Sequence, residues 1–272
     1  MKTNKKDTWM RNAAVFIIFA LLFAGCAQKQ ETAEKKEITV FAAASLTGAF
    51  GEIKEGFELD NPGTSVVCNF DGTQALRTQV EQGAYGDVFA SANTKHMNAL
   101  KAEGLVLNET VSNFAKNRIV IIVPRDNRKG IQNFSDLAKP GTKIVIGTKD
   151  VPCGSYALQV IDRIANDSAY GPDYKKSVLD NVLSQETVVT GIIAKTAAGE
   201  ADAGFAYYSD VSEDAKEKLT KIEIPNEYNV VAEYPIAVLT ESGEKEDAQR
   251  FIDYVESEKG RKILAKYGFT LT

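Results

Sequence analysis

Short apolar blocks separated by polar, helix-like stretches recur along nearly the whole chain, and this alternation narrows the folds open to it. Residues 37–42, 65–70, 87–90, 118–124, 143–147, 203–207, 219–224 and 230–239 read as strands. Helices are expected between them. One follows residues 43–48 and turns Ala49, Phe50, Ile53 and Phe57 inward; the next bears Leu76 and Val80. Others cover 94–103, a short piece of 134–141, 155–165, 186–198 and 244–256, the last continuing to Lys266. Such alternation is the pattern of doubly wound α/β units, and blocks this apolar fit strands covered on both faces. The runs at 118–124 and 230–239 are natural crossings between two lobes. The first lobe would be discontinuous, 38–118 plus 234–272, and the second would be 119–233.

The N-terminus carries a different signal. Lys2, Lys5, Lys6 and Arg11 precede an apolar run that ends in Gly25, and Cys26 opens a polar stretch. A charged start, an apolar middle and a small-residue exit make an export signal. Phe23-Ala-Gly-Cys26 resembles a bacterial lipobox, with Phe in place of the usual Leu. Residues 1–25 are then a signal peptide, Cys26 is the lipidation site, and 26–36 is a flexible tether. An uncleaved N-terminal anchor is the alternative. The expected location is the outer, extracytoplasmic face of the cell membrane.

Several function classes find no support. A net charge of −5, without basic patches interleaved with aromatics, argues against nucleic acid as a partner. One histidine and no C-x-x-C make a structural zinc site improbable. His96 lies in a polar helix start and reads as a solvated side chain. Ser45 has no recognisable histidine partner, and neither G-x-G-x-x-G nor a Walker lysine motif occurs. Asp71, Asp87, Asp150 and Asp210 sit near strand ends, but their spacing demands no metal. Cys68 and Cys153 read as reduced thiols, although pairing outside the cell is open to them.

What remains is a set of strand-to-helix junctions. Ser45, Thr73 and Gly154-Ser155 each follow a strand and open a helix. A hydroxyl there can cap its own helix or, with the free N–H groups of the first turn, hold an anion. Taken singly, capping is the plainer reading. Three junctions split between two lobes would converge on one cleft outside the carboxyl ends of the strands.

Four blocks carry a family resemblance: Val40-Phe-Ala-Ala-Ala-Ser-Leu46, Gln79-Val-Glu-Gln-Gly-Ala-Tyr-Gly-Asp-Val-Phe-Ala90, Asp150-Val-Pro-Cys-Gly-Ser-Tyr156 and Gly199-Glu-Ala-Asp-Ala-Gly-Phe-Ala-Tyr207. In this order, across residues 37–270, they resemble the molybdate- and tungstate-binding proteins of ABC importers. The resemblance implies a two-lobed periplasmic-binding-protein fold of class II type, with the ligand cleft between lobes. It implies a non-enzymatic, monomeric carrier without cofactor, which delivers its oxyanion to permease and ATPase subunits. Carried over by position, Ser45 and Thr73 offer hydroxyls, Cys153 and Val189 backbone N–H groups, and Tyr207 its phenol. Thr73 stands where serine is usual. Thr187, Val188 and Thr190 are alternatives to Val189, because the segment 157–185 is longer than usual. Archaeal relatives add two carboxylates to the metal, and Val151 and Val189 stand at those positions here. Four-coordinate oxyanion binding is therefore expected. The same fold with another cargo, such as sulfate, phosphate or ferric iron, is the alternative, ahead of a secreted enzyme.

Overall fold

The structure is a computed structural model that describes residues 35–211 and 215–271. The expected signal peptide, Cys26 and residues 26–34 of the tether lie outside the described residues. Ten strands are present among the described residues. They are β1 (Lys36–Ala43), β2 (Thr64–Asp71), β3 (Val88–Ala90), β4 (Ser112–Pro124), β5 (Ile144–Gly147), β6 (Val182–Glu186), β7 (Ala203–Tyr207), β8 (Leu219–Glu223), β9 (Val231–Val238) and β10 (Thr270–Leu271). The α-helices are α1 (Thr47–Asp60), α2 (Thr73–Glu81), α3 (Thr94–Ala102), α4 (Pro152–Ala165), α5 (Tyr174–Asp180), α6 (Val189–Ala197), α7 (Lys245–Glu256) and α8 (Glu258–Lys266).

The strands run in the order β2-β1-β3-β9-β4-β7-β5-β6, with β8 and β10 also paired to β4. Parallel pairing joins β1 to β2 and β3, and β5 to β6 and β7. Against these, β9 runs antiparallel to β3 and β4. The long strand β4 is shared. Its first half, Ser112–Arg118, pairs with β9, and from Ile119 it pairs with β7 and β8. The result is a two-lobed α/β fold.

The side chains explain this switch of partners. Ile119, Val120, Ile121, Ile122 and Val123 are fully buried, as a strand covered on both faces requires. The half before them is mixed in polarity, and the sequence reading began the strand only at 118. Phe114 and Ala115 are buried, and a register shift between Asn113 and Ala115 accommodates them. Where β4 changes partners, asparagine side chains bind its backbone. Asn117 Oδ1 accepts from Arg118 N–H (2.9 Å). Asn229 Oδ1 accepts from the N–H groups of Ile119 (3.1 Å) and Val230 (2.8 Å). Asn229 Nδ2 donates to the carbonyls of Ile119 (2.8 Å) and Ile224 (3.2 Å).

The helix faces follow the apolar spacing. Ala49, Phe50, Ile53 and Phe57 of α1 are buried, and Phe251 of α7 packs edge-on against Phe57 (ring centroids 5.4 Å) and Phe50 (5.9 Å). Two boundaries differ from expectation. Helix α4 starts at Pro152 rather than residue 155, because proline suits the first helical position, where no N–H is needed. The stretch expected to be helical from 186 begins instead with the end of β6. That strand alternates between half-buried and exposed residues, as an edge strand does, and lacks the apolar block that marks a buried one.

Replacing Asn229 with alanine removes four hydrogen bonds and leaves the buried Ile119 groups unsatisfied. The expected loss is about 2–3 kcal/mol of unfolding free energy. Urea denaturation should show a lower midpoint at unchanged slope; an unshifted midpoint would deny these bonds a structural role.

Candidate functional site

Four helical segments begin within a few residues of a strand's end and open onto one small pocket. They are the 3-10 turn Ala44–Leu46 after β1, α2 after β2, α4 after β5 and α6 after β6. The residues preceding them are Ala43, Gly72, Val151 and Val188, and none supplies a side-chain cap. Side-chain caps do occur elsewhere, where Asn93, Asn133 and Ser257 accept from first-turn N–H groups, although α1, α5 and α7 also start without one. The first N–H groups of any helix have no partner within it. Among the described residues, no main-chain carbonyl accepts the N–H of Ser45, Thr73, Cys153 or Val189.

Ser45, Thr73, Cys153, Val189 and Tyr207 all line this pocket, together with Gly72 and small residues such as Ala43 and Ala92. Of the alternatives to Val189, Thr187 instead uses its carbonyl to accept from Gln74 Nε2 (2.7 Å). The cavity has a volume of only about 20 Å³. That is far below the ~300–1,000 Å³ of sites for organic metabolites. No lysine or arginine lines the pocket.

Ser45, Thr73, Cys153, Val189 and Tyr207 each carry a group able to donate. Tyr207 is 2% exposed, and its hydroxyl is buried without a hydrogen-bond partner. Burial pushes its pKa well above 10, with smaller contributions from Tyr234, Cys153, Tyr156 and Asp210, so the group stays an O–H donor. Thr73 Oγ1 accepts from Ala92 N–H (3.2 Å), which leaves its own proton to give. Ser45 Oγ lies 2.9 Å from Tyr234 Oη. Cys153 turns its thiol toward β7, where Sγ donates to the Phe205 carbonyl (3.3 Å), so its backbone N–H is the group left to offer. Burial raises that thiol well above its usual pKa and keeps it protonated. Cys68 and Cys153 are both free thiols.

Asp210 is the acidic neighbour. It accepts from Tyr207 N–H (2.9 Å), and burial lifts its carboxyl to a pKa of about 7, against the opposing effect of that bond. The other aspartates near strand ends do not gather into a cluster with it. Asp71 accepts from Gly72 N–H, while Asp87 binds Thr39 N–H, Tyr85 Oη and Ser242 Oγ.

Two contacts hold the segments that lead into α6 and α4, and no sequence pattern announces either. Gln74 of α2 reaches the Thr187 carbonyl, two residues before α6. His96 of α3 donates through Nε2 to the Asp150 carbonyl (3.3 Å), two residues before α4. His96 is thus not solvated as expected. It is 3% exposed, because α3 turns it inward against the loop that begins α4. Burial holds its pKa below 6.5, and a neutral ring with the proton on Nε2 fits the carbonyl. Gly72 permits the approach, since a Cβ there would lie 2.7 Å from the Thr187 carbonyl oxygen. Gly154 likewise lets α4 press on β5, where a Cβ would collide with the carbonyls of Gly147 and Thr148.

The chain matches the bacterial extracellular solute-binding protein family over residues 38–270. It is 38% identical over 234 residues to the molybdate-binding protein ModA of Mycobacterium tuberculosis, covering 86% of this chain and 84% of that one. Two solved structures share its fold. The periplasmic molybdate-binding protein of Azotobacter vinelandii has a TM-score of 0.75 at 20% identity, over 86% of this chain and 99% of its own. The sulfate-binding protein SubI of Mycobacterium tuberculosis has a TM-score of 0.78 at 17% identity, over 87% of each chain.

An orphaned buried hydroxyl is a burden to the ligand-free protein. Tyr207→Phe should therefore leave the ligand-free form as stable as wild type or up to about 1–3 kcal/mol more stable. Thermal unfolding without added anion measures this. A clear loss of stability would show that Tyr207 Oη has a structural partner.

Proposed function

We propose, for a chain that belongs to the bacterial extracellular solute-binding proteins, that it captures molybdate outside the cytoplasm and passes it to an ABC permease driven by its ATPase. It is a binding protein and not an enzyme. Four uncapped helix starts meeting the unpartnered Tyr207 hydroxyl carry this reading. Only donors converge there, in a space suited to a small ion, which favours a dianion that needs nothing but acceptors. Ser45, Thr73, Cys153, Val189 and Tyr207 bind its oxygens, and the metal stays four-coordinate. Tungstate, similar in charge and geometry, is a second cargo. Sulfate has shorter bonds and leaves loose donors in the same cage.

Ferric iron is a poorer fit. It would call on the Tyr207-Tyr208 pair. Tyr208, however, lies under the Arg118 guanidinium (4.1 Å to the ring centroid) and the Lys221 ammonium (3.5 Å). Two cations on that ring oppose a third, trivalent one.

Capture works by closure. The lobes are taken as 38–118 plus 234–272 and 119–233, with hinges in 118–124 and 225–236. The change of partners along β4 supports the first boundary. Ser45 and Thr73 then come from one lobe, and Cys153, Val189 and Tyr207 from the other. An anion that binds both sets favours the closed form and shifts the population toward it. Lipid on Cys26 and a tether of residues 26–36 would keep this monomeric receptor beside its permease.

Calorimetry on the full-length chain in detergent should show one-to-one binding of molybdate and tungstate, and sulfate far weaker. Ser45→Ala should lower molybdate affinity about 10- to 100-fold, the worth of one hydrogen bond to a charged group. Equal affinity for sulfate would refute the molybdate reading.

A further inference from the structure

A serine hydroxyl has one proton and two lone pairs, so it donates to a ligand only if that proton is not already committed. The contact between Ser45 Oγ and Tyr234 Oη allows either atom to donate. If Ser45 donated to Tyr234, a lone pair would face the pocket and repel an anion. We propose that Tyr234 is a positioning residue that keeps Ser45 a donor to the oxyanion, and that Asn117 sets the direction of this chain of hydrogen bonds. The inference rests on the molybdate reading above.

The direction follows from Asn117. Its Oδ1 accepts from Arg118 N–H, which fixes the amide orientation and turns Nδ2 inward. Nδ2 donates to Ser209 Oγ (2.8 Å) and to Tyr234 Oη (3.5 Å). Tyr234 Oη accepts a hydrogen bond from Asn117, a donor that can take none back, and among the described residues Ser45 Oγ is the acceptor within reach of its own proton, so it donates to Ser45. The proton of Ser45 is left for the pocket. Tyr234 is fully buried and Asn117 is 3% exposed, so solvent does not compete. Phe114, Tyr207 and Phe269 meet the Tyr234 ring edge-on, with centroids at 6.3, 5.8 and 5.3 Å, and hold it in place. Burial also raises its pKa well above 10, which keeps the phenol protonated and able to donate.

A selectivity follows. An oxyanion that keeps a proton, such as hydrogen arsenate, needs one acceptor in the cage. With Ser45 held as a donor, that position offers none. Freed of Tyr234, the Ser45 hydroxyl can rotate and accept, and the penalty against the protonated anion falls.

Two near-isosteric changes test this. Tyr234→Phe deletes the relay and keeps the ring. Asn117→Asp reverses it, since a carboxylate accepts from Arg118 N–H, Ser209 and Tyr234 alike, so that Ser45 donates to Tyr234 and presents a lone pair to the pocket. Calorimetry at pH 8 with molybdate and with arsenate would compare wild type, both variants and the double variant, after thermal melts establish folding. Tyr234→Phe should lower the molybdate-to-arsenate affinity ratio about 10-fold or more, whereas a purely structural loss would weaken both anions together. Asn117→Asp should cost roughly 100-fold in molybdate affinity alone but about 10-fold or less in the Tyr234→Phe background, the coupling of a double-mutant cycle. An equal loss in both backgrounds would reduce the effect to added charge and overturn the relay, as would an unchanged anion ratio in Tyr234→Phe. If Asn117→Asp fails to fold, the ratio in Tyr234→Phe decides alone. A wild-type chain that binds no molybdate would overturn the cargo reading and this inference with it.

Discussion

Every α-helix begins with N–H groups that its own backbone cannot satisfy. Side-chain caps meet that need at Asn93, Asn133 and Ser257, and no side chain meets it at Ala43, Gly72, Val151 and Val188, among others. Whereas the uncapped starts of α1, α5 and α7 lie outside it, these four share one pocket. Their partial positive charges add where no lysine or arginine stands, so a dianion can be held by dipoles alone. A cage of neutral donors discriminates by size and by the absence of acceptors.

The architecture serves that convergence. The parallel pairs β1–β2 and β5–β6 each end ahead of the pocket's helix starts, which brings four carboxyl ends toward one place. Strand β4 runs through both parts of the sheet, and its backbone is held by Asn117 and Asn229 where its partners change. Asn117 also touches Tyr234, which touches Ser45. The point where β4 changes partners and the pocket wall are therefore linked through three side chains. Gln74 and His96 bind carbonyls just ahead of α6 and α4, so the segments leading into two of the helix starts that face the pocket are also held by side chains of α2 and α3.

Much of this was legible in the residues. Apolar blocks located the buried strands, because residues such as Ile119 to Val123 are covered on both faces. The faces of α1 and α7 followed from helical spacing. Ser45 and Thr73 stood out as hydroxyls at strand-to-helix junctions, whereas Cys153 and Val189 needed the family resemblance. What those two residues can offer is backbone, and no side-chain pattern marks that. The misses share a cause. Edge strand β6 and the first half of β4 carry mixed polarity, so their pairing depends on neighbours remote in sequence. His96 looked solvated because its local segment is polar, yet the Asp150 carbonyl covers it. Tyr234 sits in an apolar strand, where an aromatic residue reads as core, and only the fold brings its hydroxyl to Ser45.

The most direct test is an anomalous-scattering map at the molybdenum edge from crystals grown with molybdate. The account predicts one strong peak in the pocket, with oxygens in hydrogen-bonding reach of Ser45, Thr73, Tyr207 and the N–H groups of Cys153 and Val189. A peak instead in the basic surface groove bounded by Arg125, Arg128 and Lys129, or none at all, would contradict it.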